Sequence, residues 1–338
     1  MTLLCSSRWG ILIAAWLLAA SCTSGHAPPS NDGSKDGTVL TGLGSAGAGS
    51  GTIWLLAGPA PQSANIFRLT LSDRRVEQVT RNAQGHGISW LSASRAGIVV
   101  ADASTGADRI GVLDTGGGRV TPLQTGDELT TTAYTPAISP DGAIAFARAM
   151  WPTGPPGGRR QASPASTSAV PGPGAKPVWE IVVTDPGRKN LTVAHQAEPA
   201  LAAPAWGPRG GLAFIESPGV QGGDSHPKVY VLNGDRRPAG SFRAPLGKAS
   251  SLLWGQNEGM PLAVTDGVGS TALLDTRDGS SRPLPNGWVG LCWNPTGDRL
   301  LVGQGSRLAL VATTKPEEVI DVGRFGGGNL YGCGWIDR

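Results

Sequence analysis

The sequence predicts an all-β fold in which short strands form six blades around a closed ring, the last strand of the chain completing the first blade. Three observations lead there. A Trp-and-Gly signal followed by a short apolar run returns along the chain with a regular period. The composition, 51 Gly and 27 Pro in 338 residues, suits many short strands and tight turns better than long helices. The two chain ends hold complementary parts of a single four-strand unit.

The recurring signal has six anchors: "ISWLSASRAGIVVADA" at Trp90, "PAISPDGAIAFARA" at Ile138, "PAWGPRGGLAFIES" at Trp206, "LLWGQNEGMPLAVTD" at Trp254, "LCWNPTGDRLLVG" at Trp293 and "GCGWIDR" at Trp335. Their spacings are 48, 68, 48, 39 and 42 residues. The long interval holds a Pro/Gly/Ser/Ala stretch, residues 152–177, and without those 26 residues it is 42. A period of about 40–50 residues carrying short strands is the signature of propeller blades.

Each unit reads as four strands, A to D. The anchor strand A ends in a Gly turn. An apolar strand B follows, such as "AIAFARA" or "RLLVG". Strand C is rich in Val, Ile and Leu, as in "WEIVVTD" and "KVYVLNG", and a polar strand D such as "RVTPLQT" or "EEVIDVG" closes the unit. Residues 52–80 supply B, C and D with no A before them, and "NLYGCGWIDR" supplies an A with nothing after it. Joined, they make one blade and remove the open inner edge. The expected fold is therefore a six-bladed β-propeller over residues 51–338.

The repeated residues follow from that architecture. The Gly supports a tight A–B turn, where positive φ is often needed. Trp90, Trp206, Trp254, Trp293 and Trp335 are expected to fill the wedges between blades, each burying on the order of 200 Å², rather than to form an aromatic binding box.

"AISPDGAIAFA" and "AWGPRGGLAFI" resemble the W-S-P-D-G blade motif of TolB-like propellers, relatives of WD40 proteins. The resemblance covers residues 50–338, with Ser139-Pro140-Asp141-Gly142 the full match to the core motif. It implies the fold. TolB carries an α/β domain ahead of its propeller, for which this chain has no room, so Tol-system function is not carried over. The composition and N-terminus look more like the propeller lipoproteins of high-GC Gram-positive bacteria.

The N-terminus reads as an export signal. "MTLLCSSRWGILIAAWLLAASC" has an early Arg8, an apolar run from Ile11 to Ala20 too short to span a membrane comfortably, and a small residue before Cys22. "LAASC" resembles a bacterial lipobox, with Ala19 where Leu is usual. That predicts a signal peptide over 1–21 and a lipidated Cys22; the alternative is ordinary cleavage near Ser21. Residues 23–50, "TSGHAPPSNDGSKDG…GSAGAGSG", lack apolar periodicity and form a flexible tether with a typical reach of roughly 30 Å. The expected location is the outer face of the cell membrane. Cys5 leaves with the signal, so Cys292 and Cys333 remain, either paired as an exported protein permits or present as two buried thiols.

Chemistry-bearing motifs are sparse. His26, His86, His195 and His226 share no metal-ligand spacing, and no Cys cluster or D-x-[DN]-x-[DN]-G calcium loop occurs. G-x-S-x-G and Walker-type sequences are absent, and "GVGSTALLD" from Gly267 opens a strand, not a phosphate-binding helix. Asp102, Glu216 and Asp266 each close a B strand near one face and are read as turn residues, with a carboxylate site as the alternative. A net charge of +3 without basic runs argues against nucleic acid as a partner.

The 152–177 insertion joins strand B to strand C and so projects from the face of the B–C and D–A connections. It carries Arg159, Arg160 and Lys176 with no acid, and is expected to be disordered, with capacity to fold on an acidic partner or wall polymer. The functional expectation is a non-catalytic, monomeric, membrane-anchored module that binds an envelope protein or polymer and needs no cofactor. The alternative is a lactonase-like or glycan-acting hydrolase with its site at the channel mouth.

Overall fold

The computed structural model describes residues 50–337, apart from 73–74, 82–86, 103–108, 126–130, 152–175, 218–225 and 268. The signal segment, Cys22, the tether to residue 49, Arg159, Arg160, His26 and His86 lie outside the described residues. Six four-stranded antiparallel sheets make the ring.

Blade 1 is β24 (Asn329–Ile336), β1 (Thr52–Gly58), β2 (Asn65–Thr70) and β3 (Arg75–Gln78), in that spatial order. Blade 2 is β4 (Ile88–Ser94), β5 (Gly97–Asp102), β6 (Arg109–Leu113) and β7 (Val120–Pro122). Blade 3 is β8 (Thr131–Ile138), β9 (Ile144–Met150), β10 (Val178–Thr184) and β11 (Leu191–Ala197). Blade 4 is β12 (Leu201–Trp206), β13 (Leu212–Glu216), β14 (Lys228–Leu232) and β15 (Pro238–Arg243). Blade 5 is β16 (Ser251–Trp254), β17 (Leu262–Thr265), β18 (Thr271–Leu274) and β19 (Ser281–Pro283). Blade 6 is β20 (Val289–Trp293), β21 (Arg299–Gln304), β22 (Arg307–Ala312) and β23 (Lys315–Arg324). The only helical pieces among the described residues are two 3₁₀ turns, Pro61–Ser63 and Pro208–Gly210.

The ring closes as the end fragments require: β24 pairs antiparallel with β1, from Thr52 opposite Ile336 to Gly58 opposite Asn329. The pairing supplies β1 with the inner partner it would otherwise lack, which removes a hazard for a chain of short strands. Antiparallel order also sets two faces. The A–B and C–D turns lie on the lower face, and the B–C and D–A connections lie on the upper one.

The A–B turns show why Gly recurs. Gly210 and Gly297 sit there at φ +73° and +74°, in the left-handed region that side chains disfavour. In blade 3, Gly142 N–H bonds the Ser139 carbonyl at 3.1 Å, Ser139 N–H bonds the Ala143 carbonyl at 2.8 Å, and the Ser139 hydroxyl donates to Asp141. Blade 6 builds the same turn around Asn294, whose amide reaches Thr296 Oγ1 at 2.7 Å and Asp298 Oδ1 at 2.8 Å.

Trp206, Trp254 and Trp293 close the A strands of their blades, and Trp335 stands one residue before the end of β24. Trp206 Nε1 donates to the Ala137 carbonyl of blade 3 at 3.1 Å, and Trp293 Nε1 to the Leu253 carbonyl of blade 5 at 2.9 Å. The Trp254 ring lies on Gly207 of blade 4 so tightly that an added Cβ there would meet it at 2.3 Å. Trp335 joins the apolar cluster shared by blades 6 and 1, and its Nε1 donates to the Ser50 carbonyl at 3.2 Å.

Trp90 is a correction. Its blade brings Ala93, not Trp90, opposite Ile98 at the start of strand B, where Trp206 stands opposite Leu212 and Trp293 opposite Leu300. A bulge between Ile88 and Trp90 and a short A–B turn shift the register, which anchor spacing cannot reveal. Trp90 is half-buried and packs against a cluster made by blades 4 and 5, containing Ala203, Ala205 and Leu252. Since the neighbours of blade 2 are blades 1 and 3, this contact crosses the axis of the ring. Trp90 therefore obstructs the channel instead of filling a wedge.

Candidate functional site: the channel and its upper mouth

The innermost strands form the channel wall. β4, β8, β12, β16, β20 and β24 contain no Asp, Glu, Lys, Arg or His. Their side chains are hydroxyl, amide, aromatic or apolar, with Ser89 and Asn329 exposed and Trp90, Thr132, Ser251 and Tyr331 half-buried. Burial pushes the Tyr331 phenol above its ordinary pKa, partly offset by a hydrogen bond with Asn329. Bulges interrupt β4, β8, β12 and β20. In two of them Thr135 and Ala203 take left-handed backbone at φ 45° and 50°, and Thr135 Oγ1 accepts the Ala203 N–H at 3.0 Å. This bond ties the inner strands of blades 3 and 4 together at their bulges.

A charged pair toward the upper end of blade 3 went unnoticed in the sequence. Arg148 of β9 and Glu180 of β10 stand opposite each other, with Nε and Nη2 at 2.7 and 2.6 Å from Glu180 Oε2. Both side chains are buried, to 13% and 7% exposure. Arg148 Nη1 also donates to the Thr125 carbonyl at 3.0 Å, pinning the connection from blade 2 to blade 3. The available signal was a charge inside each of two otherwise apolar strands, "AIAFARAM" and "WEIVVTD". Both strands run to the 152–177 insertion, of which Lys176 is described and exposed.

The three B-strand carboxylates are not brought together. Asp102 stands opposite Arg109 in blade 2. Glu216 accepts the Tyr230 hydroxyl at 3.4 Å in blade 4. Asp266 accepts the N–H groups of Gly269 and Ser270 at 3.1 and 2.9 Å, capping the turn into β18. The His195 ring of β11 packs at a tilt against Phe214 and Tyr230 of blade 4, at 4.8 and 5.5 Å between centroids. Burial pushes its pKa below 6.5, with Glu216 opposing the shift. His226 contacts Arg243 Nη2 through Nδ1 at 2.6 Å. Among the described residues no three His, Cys, Asp or Glu gather as metal ligands.

The lower face has a groove of about 430 Å³ between blades 5 and 6, lined by Met260, Leu273, Asp275, Arg277, Arg282 and Thr313 among others. Its charges are already satisfied: Arg277 holds the Asp275 carboxylate and lowers its pKa to about 2, and Arg282 donates to the Thr313 carbonyl at 3.1 Å. On the blade 6 to blade 1 side of the wall, Cys292 and Cys333 are joined as a disulfide.

No protein-family profile matches the chain, and no curated protein sequence matches it. Solved structures do match in shape. A chain of the nidogen/laminin complex aligns at 14% identity and TM-score 0.56, over 85% of this chain and 98% of that one. TolB from Acinetobacter baumannii aligns at 15% identity and TM-score 0.55, over 85% of this chain and 67% of that one. The fold is that of a TolB-like six-bladed propeller. A protein of unknown function from Bacteroides caccae aligns at 10% identity and TM-score 0.51, over 86% of this chain and 100% of that one. At such identities the TolB-like propeller is a statement about architecture, and role must come from the site.

Proposed function

We propose that this protein is an exported, lipid-anchored propeller that binds an envelope protein or polymer through its upper face and performs no chemistry of its own. One observation carries the proposal: the six strands that wall the channel contribute no charged or imidazole side chain. General acid–base and metal-assisted catalysis most often draw on such a group. Asp102, Glu216 and Asp266 are held in their own blades, and the buried Arg148–Glu180 pair secures a connection.

The point at which the chain enters the ring bears on this reading. The chain enters at Ser50, whose hydroxyl donates to Asp337 Oδ1 at 2.8 Å, while Gly51 accepts the Leu71 N–H at 3.1 Å. These contacts lie at the lower end of β1, so the segment that precedes the ring joins it on its lower face. The upper face, onto which strands β9 and β10 lead the 152–177 insertion with its Arg159, Arg160 and Lys176, is the side proposed to meet an acidic partner.

Crosslinking on intact membranes, followed by purification and mass spectrometry, tests this reading. The full chain and a version lacking 152–177 are compared. A partner recovered only with the insertion present is the expected result. Absence of any stoichiometric partner in both versions sinks the proposal and redirects the search to small ligands and catalysis. Cys22→Ser is expected to move the protein from the membrane to the soluble fraction; unchanged fractionation would rule out the lipid anchor.

A further inference from the structure

Trp90 closes the channel close to its upper end. The indole crosses the axis to the cluster of blades 4 and 5, and Trp90 stands opposite Ala101, one residue short of the upper end of β5. Above it lies a shallow cup with polar walls. The strand registers set its rim at one level. Asn329 is opposite Gly58, Ser251 opposite Thr265 and Thr132 opposite Ala149, each at or next to the last residue of its B strand. Ser89 follows Ile88, which is opposite Asp102, the last residue of β5. Asn329 and Ser89 are exposed, while Thr132, Ser251 and Tyr331 are half-buried. Tyr331 and Asn329 share a hydrogen bond, so one wall is a phenol joined to an amide. Trp90 is itself half-buried, which leaves part of the indole uncovered.

That combination of groups has a chemical preference. The innermost strands bring no ionised side chain to the cup. The carboxylates one strand further out are engaged within their blades, Glu216 with Tyr230 and Asp266 with Gly269 and Ser270, while Asp102 stands opposite Arg109. A charged ligand would lose hydration in the cup without gaining a counter-charge. A purely apolar one would leave rim groups unpaired. Hydroxyl and amide groups both donate and accept hydrogen bonds, as sugar hydroxyls do. An indole offers an apolar face, negative in its quadrupole, to the C–H face of a sugar ring. We propose that the cup above Trp90 binds an uncharged sugar residue of a saccharide, with the indole beneath the ring and Asn329, Ser89, Thr132 and Ser251 meeting its hydroxyls. The site needs neither the lipid anchor nor the 152–177 insertion, so it stands or falls apart from the binding of an acidic partner.

Calorimetric titration tests the site, using the full chain and a version lacking 152–177. The probes are the uncharged saccharides N-acetylchitohexaose, cellohexaose and maltohexaose, with hexagalacturonate as the charged counterpart and an uncharged Ser/Gly hexapeptide. At least one uncharged saccharide is expected to bind both versions equally. Its affinity is expected to stay constant between about 50 and 500 mM salt, because no ion pair is screened. Trp90→Ala is expected to weaken binding about tenfold. Trp90 also packs across the ring, so Asn329→Ala, at an exposed side chain, is the second variant. It is expected to weaken binding several-fold while leaving the unfolding midpoint unchanged. No binding of any uncharged saccharide at about 5 mM, a preference for hexagalacturonate or for the peptide, or affinity indifferent to both variants overturns the proposal. Binding that disappears when 152–177 is removed does so too, by placing the sugar on the insertion.

Discussion

Cys292 of β20 and Cys333 of β24 are bonded, with Cα atoms 5.4 Å apart, so the innermost strands of the last and first blades are covalently joined. The bond does not cross the β24–β1 seam. It fixes β24 onto blade 6, so that the strand completing blade 1 is held in place for β1 to pair with. The disulfide therefore supports ring closure indirectly, by ordering the template edge.

Because 41 residues separate the two cysteines, chain-entropy arguments give the bond about 4 kcal/mol of stability. Cys292→Ala/Cys333→Ala is expected to lower unfolding stability by that order in denaturant titrations. Both cysteines are buried, so reductant is expected to cleave the bond slowly in native buffer and rapidly once the ring is unfolded. An unchanged denaturation midpoint in the double variant would remove the bond from the account of closure.

Trp293 and Trp254 hold equivalent positions but differ in one hydrogen bond. Trp293 Nε1 reaches the Leu253 carbonyl, whereas Trp254 Nε1 is buried without a partner. Trp293→Phe is expected to cost about 1 kcal/mol more than Trp254→Phe, because it removes a hydrogen bond that Trp254 does not make. Urea midpoints of the two variants decide the matter.

The Arg148–Glu180 pair is buried, so removing one partner strands a charge. Arg148→Met is expected to destabilise by about 3–5 kcal/mol, and Arg148→Met/Glu180→Leu by much less. If the double variant is as unstable as the single, the Arg148 contact with the Thr125 carbonyl, and not the ion pair, is the dominant interaction.

His195 gives a pH signature. Its folded pKa is depressed by burial below the unfolded value of 6.5, so the unfolded state takes up the proton first as pH falls. Stability is therefore expected to fall as pH drops below the unfolded pKa, until the folded form also protonates. His195→Gln should flatten the stability profile in that window; an identical slope in the variant would exclude this imidazole as its source.

Much of this architecture was legible in the sequence because it rests on local periodicity. The Gly at each A–B turn, the apolar B and C strands and the split blade at the chain ends each reflect a backbone or burial requirement that acts within one repeat. Ser139-Pro140-Asp141-Gly142 announces its own turn. What the repeat could not show is where a side chain points once a strand is bulged. Trp90 and Ala93 lie three positions apart, yet a single extra residue sends one across the channel and leaves the other at the wedge. Arg148 and Glu180 are 32 residues apart, and only the β9–β10 register makes a buried pair of them. The joining of Cys292 to Cys333 is likewise a product of which blades become neighbours. Sequence by itself determined the blade and its count, because those follow from short-range pattern. Tertiary structure alone decided the contents of the channel, because those depend on which distant residues the closed ring brings face to face.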